Sequence, residues 1–408
     1  MNNKTRTNKH YKLLKLLRKM KKMILFAAAA IMAFGASAQM SLVKDLAKKV
    51  GTGNPQAYAE VLQAIEPALM NPESAKDVLT WYTAGKAAFG LYDTMFGAKS
   101  LGQPVDENMM NEILSAAYEF YQTALPLDSV VEVDKNGAPK LNKDGSKKIK
   151  TKYSKDIIGA LTAHMGDIAN AGNVYLQQAS EITDEAKAAE AWASAAAAYG
   201  NYVDIARAPF AIANGVAPAD SVLGQVRFFQ AYAQYQAKDF ADAYENFAKA
   251  RKMGYADDNI VGFQTSSLAN MVQTMLDKNE YDKAKSFIEN ALSTDPDNAV
   301  LHDIMGFTME LKDGVDAALP FYRKAAQVDP NYANAFFDVG RCLYLQSQKI
   351  IDDNPNATNK ELVPKIKPIY DEAIPFLEKA IKLNTEGDSK AKNVLDDILY
   401  KFEVMGVK

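Results

Sequence analysis

The stretch Ala318–Pro330, ALPFYRKAAQVDP, has a near copy upstream at Ala284–Pro296, AKSFIENALSTDP. From the first alanine of each, a large apolar residue follows at the fourth position (Ile288, Tyr322), a second alanine at the seventh (Ala291, Ala325) and a proline at the twelfth (Pro296, Pro330). The copies lie 34 residues apart, and Gly306 and Gly340 keep the same separation upstream of successive copies. Small residues where helices cross let two backbones approach, and proline stops a helix. The spacing therefore predicts paired helices repeating along the chain.

The pattern extends in both directions. Ala299, His302, Met305, Gly306 and Met309 form the first helix before Ala318, and Ala333, Phe336, Val339 and Gly340 open the next unit. Its second helix arrives late, at Ala373, Leu377 and Ala380, which predicts an insertion near 346–369 broken by Pro364 and Pro368. Upstream lie Leu268 and Met271 with Tyr281, then Phe240, Ala243, Phe247 and Ala250. A degenerate copy opens the chain at Trp81, Ala84 and Gly85, answered by Ala117, Tyr121 and Ala124. Residues 155–215 read as alanine-rich helix with Trp192 and Tyr199, in no assignable register. Ser389–Gly406 reads as a terminal helix of the polar, capping kind that such arrays need.

Together these registers resemble the tetratricopeptide repeat, a helix–turn–helix unit of 34 residues. The resemblance implies an all-α fold: a right-handed superhelical array with a small β-hairpin-like insertion and a C-terminal capping helix. The organisation expected is a leader over 1–38, an N-terminal helical region over 39–126, a lysine-rich insertion over 127–154, and alanine-rich helices over 155–215. The main array follows over 216–388, and the capping helix over 389–408.

Residues 1–22 carry nine Lys or Arg and no acid, followed by the apolar run Met23–Gly35 and Ala36-Ser37-Ala38. A basic leader, a short apolar core and an A-x-A site describe a secretory signal peptide cut after Ala38. The true start is Met1, Met20 or Met23. A spanning helix needs about 20 apolar residues, so this run is too short to anchor the chain. Without the leader, 38 of the 47 basic residues remain against 50 acids, a balance of −12. Such a chain repels phosphate backbones, which argues against nucleic acid as a partner. Cys342 is the only cysteine, so no internal disulfide forms, and no cysteine follows the apolar run to take a lipid. The expectation is a periplasmic or secreted protein.

The sequence holds none of the common nucleophile, phosphate-loop or metalloprotease motifs. His164 and His302 have no second ligand at metal spacing, and both read as structural. Cys342 reads as core filler. Glu132-x-Asp134-x-Asn136-Gly137 imitates the start of a calcium loop, but its twelfth position is Lys143. Asn136-Gly137 and Asp144-Gly145 are better read as tight turns of a hairpin over 129–153. Its lysines make it a solvated loop or, more sharply, a docking arm for an anionic partner. No catalytic residue, metal or cofactor is expected.

The family's ligand contacts come from first-helix positions that line a concave face. Carried over, they give Phe228, Tyr232, Tyr235, Gln273, Asp303, Phe307, Asn334, Phe337, Arg341 and Tyr344, with Glu310 beside them and Tyr82 and Lys86 from the degenerate copy. The Lys and Asn that clamp a terminal carboxylate in one variant of the family are absent. Aromatics with one Arg suit an extended or apolar segment. The same residues could instead be packed as core. The expected function is an exported, non-enzymatic scaffold holding a protein or peptide partner of the cell envelope. The alternative is an envelope protein binding a glycan or another small ligand.

Overall fold

The computed structural model describes residues 36–384 and 389–407, so the basic and apolar parts of the leader lie outside them. The described residues are helical apart from turns and one pair of two-residue strands. They divide into two compact units.

The first unit holds α1 (Ala36–Val50), α2 (Pro55–Ala64), α3 (Glu66–Met70), α4 (Val78–Ser100) and α5 (Glu107–Leu127). The strands β1 (Val130–Val131) and β2 (Ile149–Lys150) follow, then α6 (Ser154–Ala163), α7 (Met165–Glu181), α8 (Glu185–Ala206), α9 (Pro209–Ala213) and α10 (Asp220–Gln236). The second contains α12 (Ile260–Leu276), α13 (Tyr281–Thr294), α14 (Ala299–Asp313), α15 (Val315–Val328), α16 (Ala333–Asp352), α17 (Asn359–Leu383) and α18 (Ser389–Val404). Helix α11 (Phe240–Lys252) contributes its first part to the second unit and its last turn to the first.

One contact explains why the repeats keep their register. A Cβ on Gly306 of α14 would lie 2.6 Å from the ring of Tyr322 on α15, which is buried. Gly340 of α16 meets Leu377 of α17 at the same distance. The degenerate copy has the contact too, between Gly85 of α4 and Tyr121 of α5. Gly172 of α7 faces Tyr199 of α8 in the same way, 2.7 Å from its hypothetical Cβ. Ala195 and Tyr199 thus take the places of Ala318 and Tyr322, which puts the unregistered stretch in register as a hairpin of α7 and α8. A helix crossing this tight needs a glycine on one side and fills it with a large side chain from the other.

The predicted insertion near 346–369 is mostly helix. Helix α16 runs on to Asp352 and α17 starts at Asn359, leaving a short turn between them. Pro364 and Pro368 do not break α17, nor does Pro375. All three are exposed on one side, while Leu362, Ile366, Tyr370, Ala373, Leu377 and Ala380 form the buried stripe. Each proline removes an amide donor, but the carbonyl it orphans faces water, and a helix bends away from such a side without unravelling. The box of Thr358 and Glu361 secures the entry to α17.

Residues 129–153 differ from a simple hairpin. Val130–Val131 pair antiparallel with Ile149–Lys150, while Val133 bridges to Pro139 and Leu141 to Lys147. At the centre Lys140 N–H donates to Glu132, Lys148 N–H to Lys140, and Glu132 N–H to Lys148, each bond 2.8 Å. These residues are eight apart, so three short ladders close into a small plate with approximate threefold symmetry. The turns are as expected, with Gly137 and Gly145 both at φ +81°. Asp128 fastens the stem, its carboxylate accepting from the backbone N–H groups of Lys152, Tyr153 and Ser154 and from the Ser154 hydroxyl.

Candidate functional site

The ten groove positions fall into both units. Phe228, Tyr232 and Tyr235 lie on α10 of the first. Phe228 is buried against Phe229 and Tyr255, ring centroids 5.6 and 5.3 Å away, so it does not offer a contact surface. Tyr232 stands edge-on to Trp192 at 5.7 Å, and Tyr235 is half-buried. These aromatics pack, as the core reading of the sequence allowed. Tyr82 does likewise: it stacks on Tyr153 at 4.3 Å and donates to Asp156 at 2.9 Å, with the Lys86 ammonium over its ring.

The other seven lie on α12, α14, α16 of the second unit. On α14 the positions 300, 304, 307 and 311 recur at i, i+4, i+7 and i+11, and so share one face. Val300, Phe307 and Leu311 are exposed there, Phe307 at 42% and Leu311 at 47%. The opposite face, with Leu301, Met305 and Met309, is buried. An apolar stripe on both sides of a helix is more than the fold needs. Gln273 on α12 is exposed and donates to Asp277 at 2.8 Å. Asn334 is exposed at the start of α16, and Phe337 is half-buried.

At the edge of this face, charge is tightly organised. The Arg341 guanidinium grips Glu310 with two parallel bonds, Nη1 to Oε1 at 2.8 Å and Nη2 to Oε2 at 2.6 Å. Its Nε and Nη2 also reach Asp338 Oδ1, at 3.1 and 3.0 Å. Tyr322 donates to Glu310 at 2.9 Å, which links the cluster to the Gly306 crossing. The Arg341 bonds hold the Glu310 carboxyl below its usual range against the effect of burial. Arg341, expected to meet a ligand, is therefore chiefly committed to the protein itself. Tyr344 is also occupied: it donates to Asp397 at 2.7 Å and accepts from Lys401 at 3.1 Å, both on α18.

Asp303 is the exception. Its Oδ2 accepts from Tyr332 at 3.0 Å, but Oδ1 is buried with no hydrogen-bond partner. Burial, helped by the nearby Asp338 charge, pushes its pKa up to about 7, while Tyr332 and Arg341 pull the other way. The sequence named Asp303 by position; Asp338, Val300 and Leu311 it missed. The i, i+7, i+11 spacing of apolar residues was the available signal for Val300 and Leu311.

Removing the Arg341 side chain takes the bound guanidinium from two half-buried carboxylates, leaving Glu310 only its bond from Tyr322. Arg341→Ala should cost about 1.5 kcal/mol, below the range for fully buried pairs because the side chains keep some water contact. Arg341→Lys should recover less than half, since an ammonium cannot reproduce the bidentate grip. Urea unfolding of the three proteins checks both.

The residues read as structural prove well anchored. His302 bonds to the Pro296 carbonyl at 2.8 Å. His164 stacks on Phe89 at 4.7 Å between the carboxylates of Asp167 and Asp93. Burial pushes the Cys342 thiol up to about 12, so it is neutral at ordinary pH and no ready nucleophile. Among the described residues no cluster of His, Cys, Asp or Glu could hold a metal ion. No helix among them is long and apolar enough to cross a membrane.

No curated protein sequence matches the chain. Among solved structures it is similar to a tetratricopeptide-repeat protein of Bacteroides fragilis at 14% identity, covering 58% of this chain and 98% of that one, with a TM-score of 0.35. It is likewise similar to YrrB, described as a tetratricopeptide-repeat protein with an unusual peptide-binding site, at 14% identity over 56% of this chain and 90% of that one, TM-score 0.30. Yeast Tom70 aligns at 14% identity over 97% of this chain and 89% of its own, also with a TM-score of 0.30. The family model for the tetratricopeptide repeat matches residues 265–298, the stretch that holds most of α12 and all of α13. That match marks the α12–α13 pair as a tetratricopeptide repeat, and the same 34-residue register continues in α14–α15 and α16, where Gly306 and Gly340 make the close crossings.

Proposed function

We propose that the protein is an exported, non-enzymatic scaffold, and that the α14 face with its α12 and α16 neighbours holds a protein or extended peptide segment in the cell envelope. The observation that carries this is the outward stripe of Val300, Phe307 and Leu311 on a helix already buried along its other side. Apolar surface in excess of what folding uses is what a partner covers. The leader-like N-terminus supports export. The committed state of Arg341, Glu310 and Tyr344 supports a rigid, pre-arranged face with little left for acid–base chemistry.

A photo-reactive residue placed separately at Phe307 and Phe337, with exposed Lys283 as control, tests the proposal in cells. One protein adduct shared by the two face positions and missing from the control supports it. Labelling that is equal at all three positions, or absent from both face positions, removes it. Phe307→Asp should then reduce adduct formation from Phe337 by about tenfold, the loss expected when a central apolar anchor is removed.

A further inference from the structure

The lysine-rich plate over 129–153 carries a second surface. The side chains of Lys140 and Lys148 converge on the Glu132 carboxylate, at 3.6 and 3.1 Å, which places residues 132, 140 and 148 on one face. Along a strand successive side chains alternate between faces. Their following neighbours, Val133, Leu141 and Ile149, therefore share the opposite face, one from each ladder. All three are exposed, at 52%, 62% and 47%. Three symmetry-related aliphatic side chains thus stand in water at the centre of a plate whose rim holds Lys135, Lys143 and Lys147, the last paired with Leu141. None of these three lysines joins an ion pair among the described residues.

The geometry points to an anionic lipid surface as what this plate docks on. Residues 129–153 contain seven lysines against Glu132, Asp134 and Asp144, a balance of +4, and no arginine. Tyr153 at the stem is their only aromatic. Protein interfaces favour aromatic and arginine anchors and are poor in lysine, the reverse of this composition. Aliphatic side chains ringed by lysines fit a bilayer boundary, where the apolar atoms enter among the acyl chains and ammonium groups meet headgroup phosphates without directional demands. The rest of the chain after Ala38 carries the balancing −16, so the same surface repels it and confines contact to the plate.

Vesicle flotation tests this on the chain beginning at Gln39, which retains the buried residues of the first unit and lacks the basic leader that would itself bind lipid. Phosphatidylcholine vesicles with and without phosphatidylglycerol are compared at low salt. Binding should require phosphatidylglycerol and fall away in about 0.5 M salt, where charge screening reaches only a few ångströms. Leu141→Asp, and separately Lys143→Glu with Lys147→Glu, should each lower the bound fraction at least about tenfold. These positions are exposed, and an unchanged helical spectrum establishes that the variants are folded. A parent chain that stays unbound overturns the proposal, as do variants that bind like the parent. Retention on polyglutamate without binding to phosphatidylglycerol vesicles also overturns it, and assigns the plate to an acidic protein.

Discussion

Gly306→Val should lower the stability of the second unit by about 3 kcal/mol. The new Cβ would sit 2.6 Å from a Tyr322 ring that is 1% exposed and has nowhere to turn. Relief requires the two helices to part or the ring to leave its rotamer, and overpacking of this kind costs roughly 1–3 kcal/mol before further loss. Moving the ring also breaks its hydroxyl's bond to Glu310, worth about another 1 kcal/mol. The better helix propensity of valine offsets only a few tenths. Gly262 on α12 is the control, because a Cβ there would meet nothing within 4 Å. Gly262→Ala should be neutral or stabilising by up to about 0.5 kcal/mol. Thermal unfolding should show a fall of roughly 6–12 °C for Gly306→Val and none for Gly262→Ala. Equal behaviour of the two would mean that the crossing is not the constraint described.

Asp303 predicts a pH dependence with a definite sign. Its pKa is about 7 in the folded chain, against an ordinary value of 3.8. Between those values the folded protein holds a proton that the unfolded chain has released, so stability falls as pH rises from about 4 to about 7. Above that window the fold carries a half-buried anion with an unpartnered oxygen. Asp303→Asn removes the charge and keeps an acceptor for Tyr332. At pH 8 the variant should be more stable than the parent by about 2 kcal/mol, a figure kept below the full linkage value because the site is not dry. At pH 4, where the parent is itself neutral, the gain should vanish. Urea unfolding at the two pH values decides it; a gain independent of pH would trace the effect to packing.

The repeat was legible because its constraint is local and steric. A glycine, an alanine pair and a large residue at fixed offsets record a helix crossing directly, and Gly306 with Tyr322 is that crossing. The hairpin of α7 and α8 obeys the same rule through Gly172 and Tyr199, but a glycine and its filling residue 27 positions apart in place of 16 hid it from a fixed period. Pro364 and Pro368 misled because a proline's cost depends on which side of a helix it faces, and that side is set by packing of residues far along the chain. The site was half legible for a related reason. First-helix positions follow from register, and so Asp303 and Phe307 are found. Whether a side chain there is offered to a partner or consumed by the fold depends on neighbours two helices away, as the ties of Arg341 to Glu310 and of Tyr344 to Asp397 illustrate.

The carboxylate of Asp128 ties down both ends of the plate, since it leaves α5 and receives the backbone where α6 begins. Everything between Asp128 and Lys152 is an excursion that starts and returns at one point, while Tyr153 at the stem stays stacked on Tyr82 of α4. Inheritance can therefore treat residues 129–151 as a cassette. Turns can be added or lost, or the whole segment exchanged, under selection for what it touches alone, while the array that carries it evolves under selection for packing.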